Sequence, residues 1–134
     1  MSSPVEVLQV GDTVAQAQRL MNRSRVRHLP VVDGQGKLIG LVTHRQILGA
    51  WLSHGDPGHE RRDTVARDVP IEMMMERDVI TTWPEAPASD AATLLEAHKI
   101  GCLPVLDEGQ IVGIITEGDF VRFARLYLER NEAS

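Results

Sequence analysis

A threonine and an aspartate, three residues apart, follow an apolar run in the stretch GIITEGDF at residues 113–120. The hydroxyl of Thr116 and the carboxylate of Asp119 suit two kinds of chemistry. They can form a capping box, in which each side chain hydrogen-bonds a backbone N–H at the start of a helix. Alternatively, the carboxylate can accept hydrogen bonds from both hydroxyls of a ribose, while the same helix end attracts a phosphate.

An internal repeat helps to choose between these two interpretations. LPVVD at 29–33 returns 74 residues later as LPVLD at 103–107, and GLVTHRQI at 40–47 is the counterpart of GIITEGDF. Thr43 then corresponds to Thr116, and Gln46 corresponds to Asp119. Capping explains both copies, but it does not require a carboxylate. The aspartate of the second copy therefore favours a ligand, with charge-assisted hydrogen bonds that glutamine cannot supply.

Hydrophobic spacing predicts the same order of elements in both copies, strand, helix, strand, strand, helix, and hence an α/β (α+β) fold. The first copy shows a capping box at Thr13 and strands at 28–32 and 37–43, with a helix after Thr43. The second predicts a helix at 88–98, strands at 102–106 and 111–115, and a helix from Glu117. Each copy is too small to bury its apolar faces alone, so the two are expected to pack about a pseudo-twofold axis. The predicted boundaries are 1–62 for the first repeat, including a linker at 53–62, and 63–134 for the second.

Composition excludes several classes of function. The chain has 134 residues, 14 basic against 19 acidic residues and a net charge of −5, which argues against nucleic acid as a direct partner. Its single cysteine excludes an internal disulfide framework and predicts a cytoplasmic location. No apolar stretch approaches the roughly 20 residues of a membrane helix, so no membrane partner is expected.

The tandem pattern, LPVVD followed by a short turn and a glycine, two apolar residues and Thr-x-x-Asp, resembles a pair of cystathionine-β-synthase (CBS) domains. The resemblance covers nearly the whole chain and is strongest from Arg77 to Phe120. It implies a regulatory module, not an enzyme, that binds AMP, ADP, ATP or S-adenosylmethionine and requires no cofactor. It also implies a homodimer and a regulated protein partner.

The resemblance implies a ligand site in the second copy, where one segment lies beside the base, the next forms its wall and the last receives the ribose. These residues are Val79, Ile80, Thr81, Thr82, Ile100, Gly101, Cys102, Leu103, Pro104, Thr116 and Asp119. Core packing is the competing interpretation for the apolar members. The corresponding positions of the first copy predict a weaker or vacant site, because Val7 replaces Thr81 and Gln46 replaces Asp119. These residues are Val7, Leu8, His28, Leu29, Pro30, Thr43, His44, Arg45 and Gln46.

Other sequence signals predict no catalytic residues and no metal site. The histidines and acids of 54–63 match no metal-ligand spacing. Cys102 has no arranged base, and the glycines of 34–40 join two strands in a hairpin, not a strand to a helix. The leading hypothesis is an adenosine-nucleotide sensor that changes the affinity for a partner through ligand-dependent rearrangement. The alternative is a ligand-free dimerisation scaffold in which Thr-x-x-Asp is only a cap.

Overall fold

The computed structural model describes residues 5–53 and 67–132, and the predicted linker at 53–62, apart from Ser53, lies outside them. The chain divides into two compact units, one from Glu6 to Val79 and one that contains everything from Ile80 onward. Within the described residues, no helix has both the length and the apolar content that crossing a membrane requires.

The described residues of the first unit form a three-stranded sheet and two α-helices. Its elements are β1 (Leu8–Gln9), α1 (Val14–Ser24), β2 (His28–Val32), β3 (Leu38–Thr43) and α2 (His44–Ser53). Strand β2 lies in the centre, parallel to β1 and antiparallel to β3. A 3-10 turn at Ile71–Met73 follows later in the chain. Helix α1 begins with the predicted capping box at Thr13 and ends at Arg25, whose backbone is left-handed.

The second unit repeats this order from Ile80 to Glu132. Its elements are α3 (Ala88–His98), β4 (Cys102–Asp107), β5 (Gln110–Thr116) and α4 (Glu117–Glu132). Strands β4 and β5 are antiparallel, and Thr82 forms a single parallel bridge to Val105 at the place that β1 occupies in the first unit. The predicted β-α-β-β-α repeat is therefore confirmed, with its entry strand reduced to one bridge.

Structural details recur at the offset found in the sequence. The left-handed residue after α1 is Arg25, and Lys99 occupies the same place after α3. Both hairpins have an irregularity in register at equivalent positions, Val31/Val32 and Val105/Leu106. Equal local backbone geometry in two copies indicates that the repeat preserves one supersecondary structure down to its turns.

Each unit has its own hydrophobic core, and the two cores differ in size. The first gathers the buried faces of α1, the sheet and α2, and it includes Ile71 and Met75. Gly40 is required there, because a Cβ at this position would lie 2.5 Å from Met75 Sδ and 3.1 Å from the Glu76 carbonyl oxygen. The second core consists of Ala91, Leu95 and Leu103 with half-buried neighbours.

The two hairpin turns differ by one residue, which explains the gap in the repeat. In the first unit, Asp33 Oδ1 accepts hydrogen bonds from the N–H groups of Gln35 and Lys37, at 2.8 and 3.0 Å. In the second, Asp107 pairs directly with Gln110, and the two turn residues, Glu108 and Gly109, both have positive φ. The prediction that the glycines after Asp33 lie in a hairpin turn is confirmed.

Candidate functional site

The start of α4 forms the capping box that the sequence predicts. The Thr116 N–H donates to Asp119 Oδ2 at 2.9 Å, and the Asp119 N–H donates to Thr116 Oγ1 at 3.3 Å. One carboxylate oxygen of Asp119 is thus used by the helix end. The side chain is 15% exposed, so the carboxylate is partly shielded from solvent but still accessible.

The other carboxylate oxygen faces a cation one helical turn later. Arg122 Nη1 lies 3.5 Å from Asp119 Oδ1, and the arginine side chain is 64% exposed. The sequence alone does not single out Arg122, because a basic residue on an exposed helix face is ordinary. Its spacing of three from Asp119 was the signal that could have found it.

The first unit has the same helix start with a neutral side chain. The Thr43 N–H donates to Gln46 Oε1 at 2.9 Å, and the Gln46 N–H donates to Thr43 Oγ1 at 3.2 Å. Glutamine therefore caps its helix with the same geometry as aspartate does. Because the cap is satisfied equally in both units, capping alone does not account for the negative charge at Asp119.

Backbone hydrogen bonds bring the predicted segments of the second unit together. Cys102 pairs with Thr116 across β4 and β5, and the Glu117 N–H donates to the Gly101 carbonyl oxygen at 3.1 Å. The Thr82 N–H donates to the Pro104 carbonyl oxygen at 3.0 Å. The end of the segment 79–82 therefore lies against β4, and the start of β4 lies against the start of α4.

Burial separates the residues that can offer side chains from those that cannot. Cys102, Leu103 and Pro104 are buried, so any contact from them to a ligand depends on a change in exposure or on the backbone. The half-buried members retain access to solvent. They are Val79, Ile80, Thr81, Ile100, Gly101, Thr116 and Asp119.

Thr82 is in an unusual environment for a polar residue. It is 4% exposed, and its hydroxyl has no hydrogen-bond partner among the described residues. The corresponding residue of the first unit is Leu8, which is 2% exposed and belongs to the first core. Thr82 thus occupies a core position with a hydroxyl that none of the described residues satisfies.

Cys102 has the properties of a core residue. Burial raises the pKa of its thiol from 9.0 to about 12, because a thiolate would lose its hydration. The protonated thiol is a poor nucleophile at neutral pH. That Cys102 takes no part in nucleophilic chemistry stays a prediction.

The corresponding residues of the first unit come together in the same way. His28 pairs with Thr43 across β2 and β3, and the His44 N–H donates to the Arg27 carbonyl oxygen at 2.8 Å. Leu8 pairs with Val31 in the parallel ladder. Leu29 and Pro30 are buried, Val7, His44 and Gln46 are half-buried, and Arg45 is exposed.

An open groove of about 1180 Å³ lies elsewhere on the first unit. Its lining comes from α1 and α2 and the chain at 67–68, and it includes Arg19, Asn22, Leu48 and Trp51. None of the predicted site residues lines this groove. The groove is not predictable from the sequence, because it depends on how two helices pack and not on a motif.

Metal ligands do not cluster in the part of the chain that the structure describes. No group of three or more His, Cys, Asp or Glu side chains there could hold a metal ion. The histidines and acids of 54–63 that the sequence analysis considered lie outside the described residues.

Both copies of the repeat match one known protein family. The family model of the CBS domain matches residues 1–53 and again residues 66–125. A curated relative, homoserine O-acetyltransferase of Methanococcoides burtonii, is 32% identical over 123 residues. The match covers 91% of this chain but only 22% of that enzyme. The chain spans between 14% and 41% of the first five curated relatives, so most of each relative lies outside the matched region.

Solved structures match over most of both chains. A candidate acetoin utilization protein (AcuB) from Vibrio cholerae has 36% identity and a TM-score of 0.82, covering 100% of this chain and 93% of that chain. The CBS domain pair of protein MJ0100, in complex with 5′-methylthioadenosine and S-adenosyl-L-methionine, has 27% identity and a TM-score of 0.79, with coverages of 92% and 90%. CBSX2 in complex with AMP has 26% identity and a TM-score of 0.75, with coverages of 94% and 90%.

Proposed function

Because this chain belongs to the CBS domain family, we propose that it is a regulatory module that binds an adenosine-containing ligand at its second unit. The observation that carries the proposal is the carboxylate of Asp119. It stands where an otherwise identical helix cap uses the neutral Gln46, and the carboxylate oxygen that the cap does not use lies 3.5 Å from a largely exposed arginine. This oxygen can accept hydrogen bonds from the two hydroxyls of a ribose.

The neighbouring residues suit the rest of an adenosine. Thr116 is half-buried beside Asp119, and its hydroxyl can share the ribose. Ile100 and Ile80 are half-buried apolar side chains that can cover a purine face, and Thr81 adds a hydroxyl for its edge. The complexes of MJ0100 with methylthioadenosine and S-adenosylmethionine, and of CBSX2 with AMP, support this class of ligand.

We propose that the first unit binds the same ligand class weakly or not at all. Gln46 can still hydrogen-bond a hydroxyl, but it lacks the charge that makes such a bond about twice as strong. Val7 replaces the hydroxyl of Thr81 with a methyl group. The asymmetry would give one strong site for each chain.

Regulation requires that the ligand favour one arrangement of the protein over another. By linkage, a partner whose affinity changes with the ligand must change the ligand's affinity by the same factor. The corresponding coupling free energy is typically about 1–3 kcal/mol. We propose a regulatory and not a catalytic role for this chain, with a protein partner to which the signal passes. A cytoplasmic location stays a prediction from the single cysteine.

A homodimer is part of the proposal because α4 exposes a large apolar surface. No residue of Glu117–Glu132 is buried, and Val121, Phe123 and Tyr127 are each at least 60% exposed. This much exposed apolar side chain on one helix supports an interaction site there. A second copy, pairing through the same helix by a twofold axis, would cover it.

Titration calorimetry of the wild-type chain with AMP, ATP and S-adenosylmethionine tests the proposal, with D119Q as the diagnostic variant. The glutamine should keep the cap, as Gln46 does at the same 2.9 Å distance, while removing the charge. We expect a loss of about tenfold to a hundredfold in affinity with little change in thermal stability. Wild-type affinity in D119Q would exclude Asp119 from the site.

The alternative function is a ligand-free dimerisation scaffold, and one observation favours it. Both oxygens of Asp119 already have partners within the chain, the Thr116 N–H and the Arg122 guanidinium. In this case the wild-type chain would sediment as a dimer and would show neither heat nor thermal shift with any adenosine compound.

A further inference from the structure

The ion pair between Arg122 and Asp119 places a cation beside the carboxylate that is proposed to bind the ribose. The carboxylate uses Oδ2 for the Thr116 N–H, and Oδ1 lies 3.5 Å from Arg122 Nη1. A guanidinium has five N–H donors, so this contact leaves most of them free for a second acceptor. The pair therefore presents an acceptor and several donors side by side at the start of α4.

A carboxylate alone would be a poor host for a nucleotide. The phosphate of a nucleoside 5′-phosphate lies only about one sugar length from the ribose hydroxyls, within the range at which like charges repel appreciably. A cation next to the carboxylate cancels this repulsion. Because the Arg122 side chain is 64% exposed, it can turn toward a phosphate without first breaking a buried contact.

The two charges occur together in one unit and are absent together from the other. Gln46 stands at the position of Asp119, and Gly49 stands at the position of Arg122. The first unit thus lacks both the acid and its compensating base, although its helix start has the same capping geometry. The arginine accompanies the acid and is not a requirement of the helix start.

We infer that Arg122 makes the second-unit site selective for nucleoside 5′-phosphates over neutral nucleosides and over cationic adenosine compounds. The inference rests on the proposed function, because it assumes that Asp119 holds the ribose. Arg122 acts on the phosphate and on the charge of Asp119, so its removal weakens phosphorylated ligands selectively. A neutral nucleoside, which makes no use of the guanidinium, keeps its affinity or gains some when the competing cation leaves Asp119.

The experiment compares AMP with adenosine by calorimetry in the wild-type chain, R122Q and R122K. We expect R122Q to weaken AMP by about threefold to tenfold and to leave adenosine within about twofold of the wild-type affinity. R122K should restore part of the preference for AMP, since it restores the charge but not the planar fork. Added salt should reduce the AMP preference of the wild type more than that of R122Q.

R125Q is the matched control, because Arg125 lies on the same helix, is similarly exposed and pairs with Glu129 at 3.0 Å. It makes the same change in net charge and should keep the AMP preference. If wild-type chain binds AMP and R122Q keeps the same ratio of affinities, the inference is refuted alone. If the wild-type chain binds neither compound, the inference is refuted, and the proposed function is refuted as well when ATP and S-adenosylmethionine also give no heat.

Discussion

The carboxylate of Asp119 has about four lone-pair sites, and the folded chain uses one for the Thr116 N–H and one for Arg122. Capping and ligand binding are therefore compatible at this residue. The cap also restrains the side chain, which would lower the entropy cost of holding a ribose as proposed. The comparison with Gln46 shows that charge, and not geometry, distinguishes the two units at this position.

Thr82 provides a prediction about stability at the scale of one residue. Its hydroxyl is buried without a partner among the described residues, so the folded state bears the cost of removing it from water. Valine has nearly the same shape without that cost, and the corresponding Leu8 shows that the position accepts an apolar side chain. We expect T82V to raise the free energy of unfolding by about 1 kcal/mol in urea titrations.

Thr93 is the control for this substitution. It is exposed, and its hydroxyl donates to the Ser89 carbonyl oxygen at 2.9 Å, so T93V should bring no comparable gain. A loss of stability in T82V would show that the Thr82 hydroxyl has a hydrogen-bond partner in solution.

Cys102 provides a prediction about pH. Its pKa is about 12 in the folded protein against 9.0 ordinarily, so the folded state holds its proton more tightly than the unfolded state does. The contribution of this residue to stability is full below about pH 9 and is lost as the pH rises toward 12. We expect the wild type to lose more stability between pH 8 and 10.5 than C102A does, measured by urea unfolding at each pH.

The thiol should also react slowly with alkylating reagents in the native protein and rapidly after unfolding. Equal pH slopes in wild type and C102A, together with fast native alkylation, would contradict the burial of Cys102.

At the scale of elements, the turn between β4 and β5 has a residue that is not optimal for its conformation. Glu108 and Gly109 both have positive φ, as a two-residue type I′ hairpin turn requires, and asparagine or glycine is favoured at the first of these positions. We expect E108N to raise the free energy of unfolding by about 0.5–1 kcal/mol. Chemical denaturation tests this, with E85N, an exposed substitution outside the hairpin, as the control. A lower free energy of unfolding in E108N would contradict the turn assignment.

The sequence predicted the elements well because their signals are local. The capping boxes at Thr13, Thr43 and Thr116 and the apolar periodicities gave the helix starts, and all three helices begin next to those threonines. The left-handed Glu108 was not predictable, since glutamate carries no turn signal and only the pairing of Asp107 with Gln110 forces it there. The exposure of apolar side chains on α4 was likewise not predictable, because apolar residues at helical spacing ordinarily pack against the rest of the fold.

The surroundings of the candidate site could be predicted less completely, because burial and side-chain pairing are tertiary properties. Thr81 and Thr82 are the same residue type in adjacent positions, but only the structure shows that Thr82 occupies a core position. Arg122 was not predictable because its contact with Asp119 is made on an exposed helix face.

Over the whole chain, the two copies share one supersecondary structure but differ at the positions that are proposed to bind the ligand. Both retain the strand, turn and cap that the fold needs, whereas the acid at 119 and the base at 122 occur in the second unit only. A chain with one strong site responds to a single ligand, and pairing with a second copy through α4 would place two such sites in each dimer.

A crystal structure of the chain with AMP is the decisive test of whether Asp119 holds the ribose of a bound ligand. We predict adenylate at the second unit, with the ribose hydroxyls about 2.6–3.0 Å from Asp119 Oδ1 and the Thr116 N–H still bonded to Oδ2. AMP bound without contact to Asp119, or an Asp119 carboxylate that keeps only its partners within the chain, would contradict it.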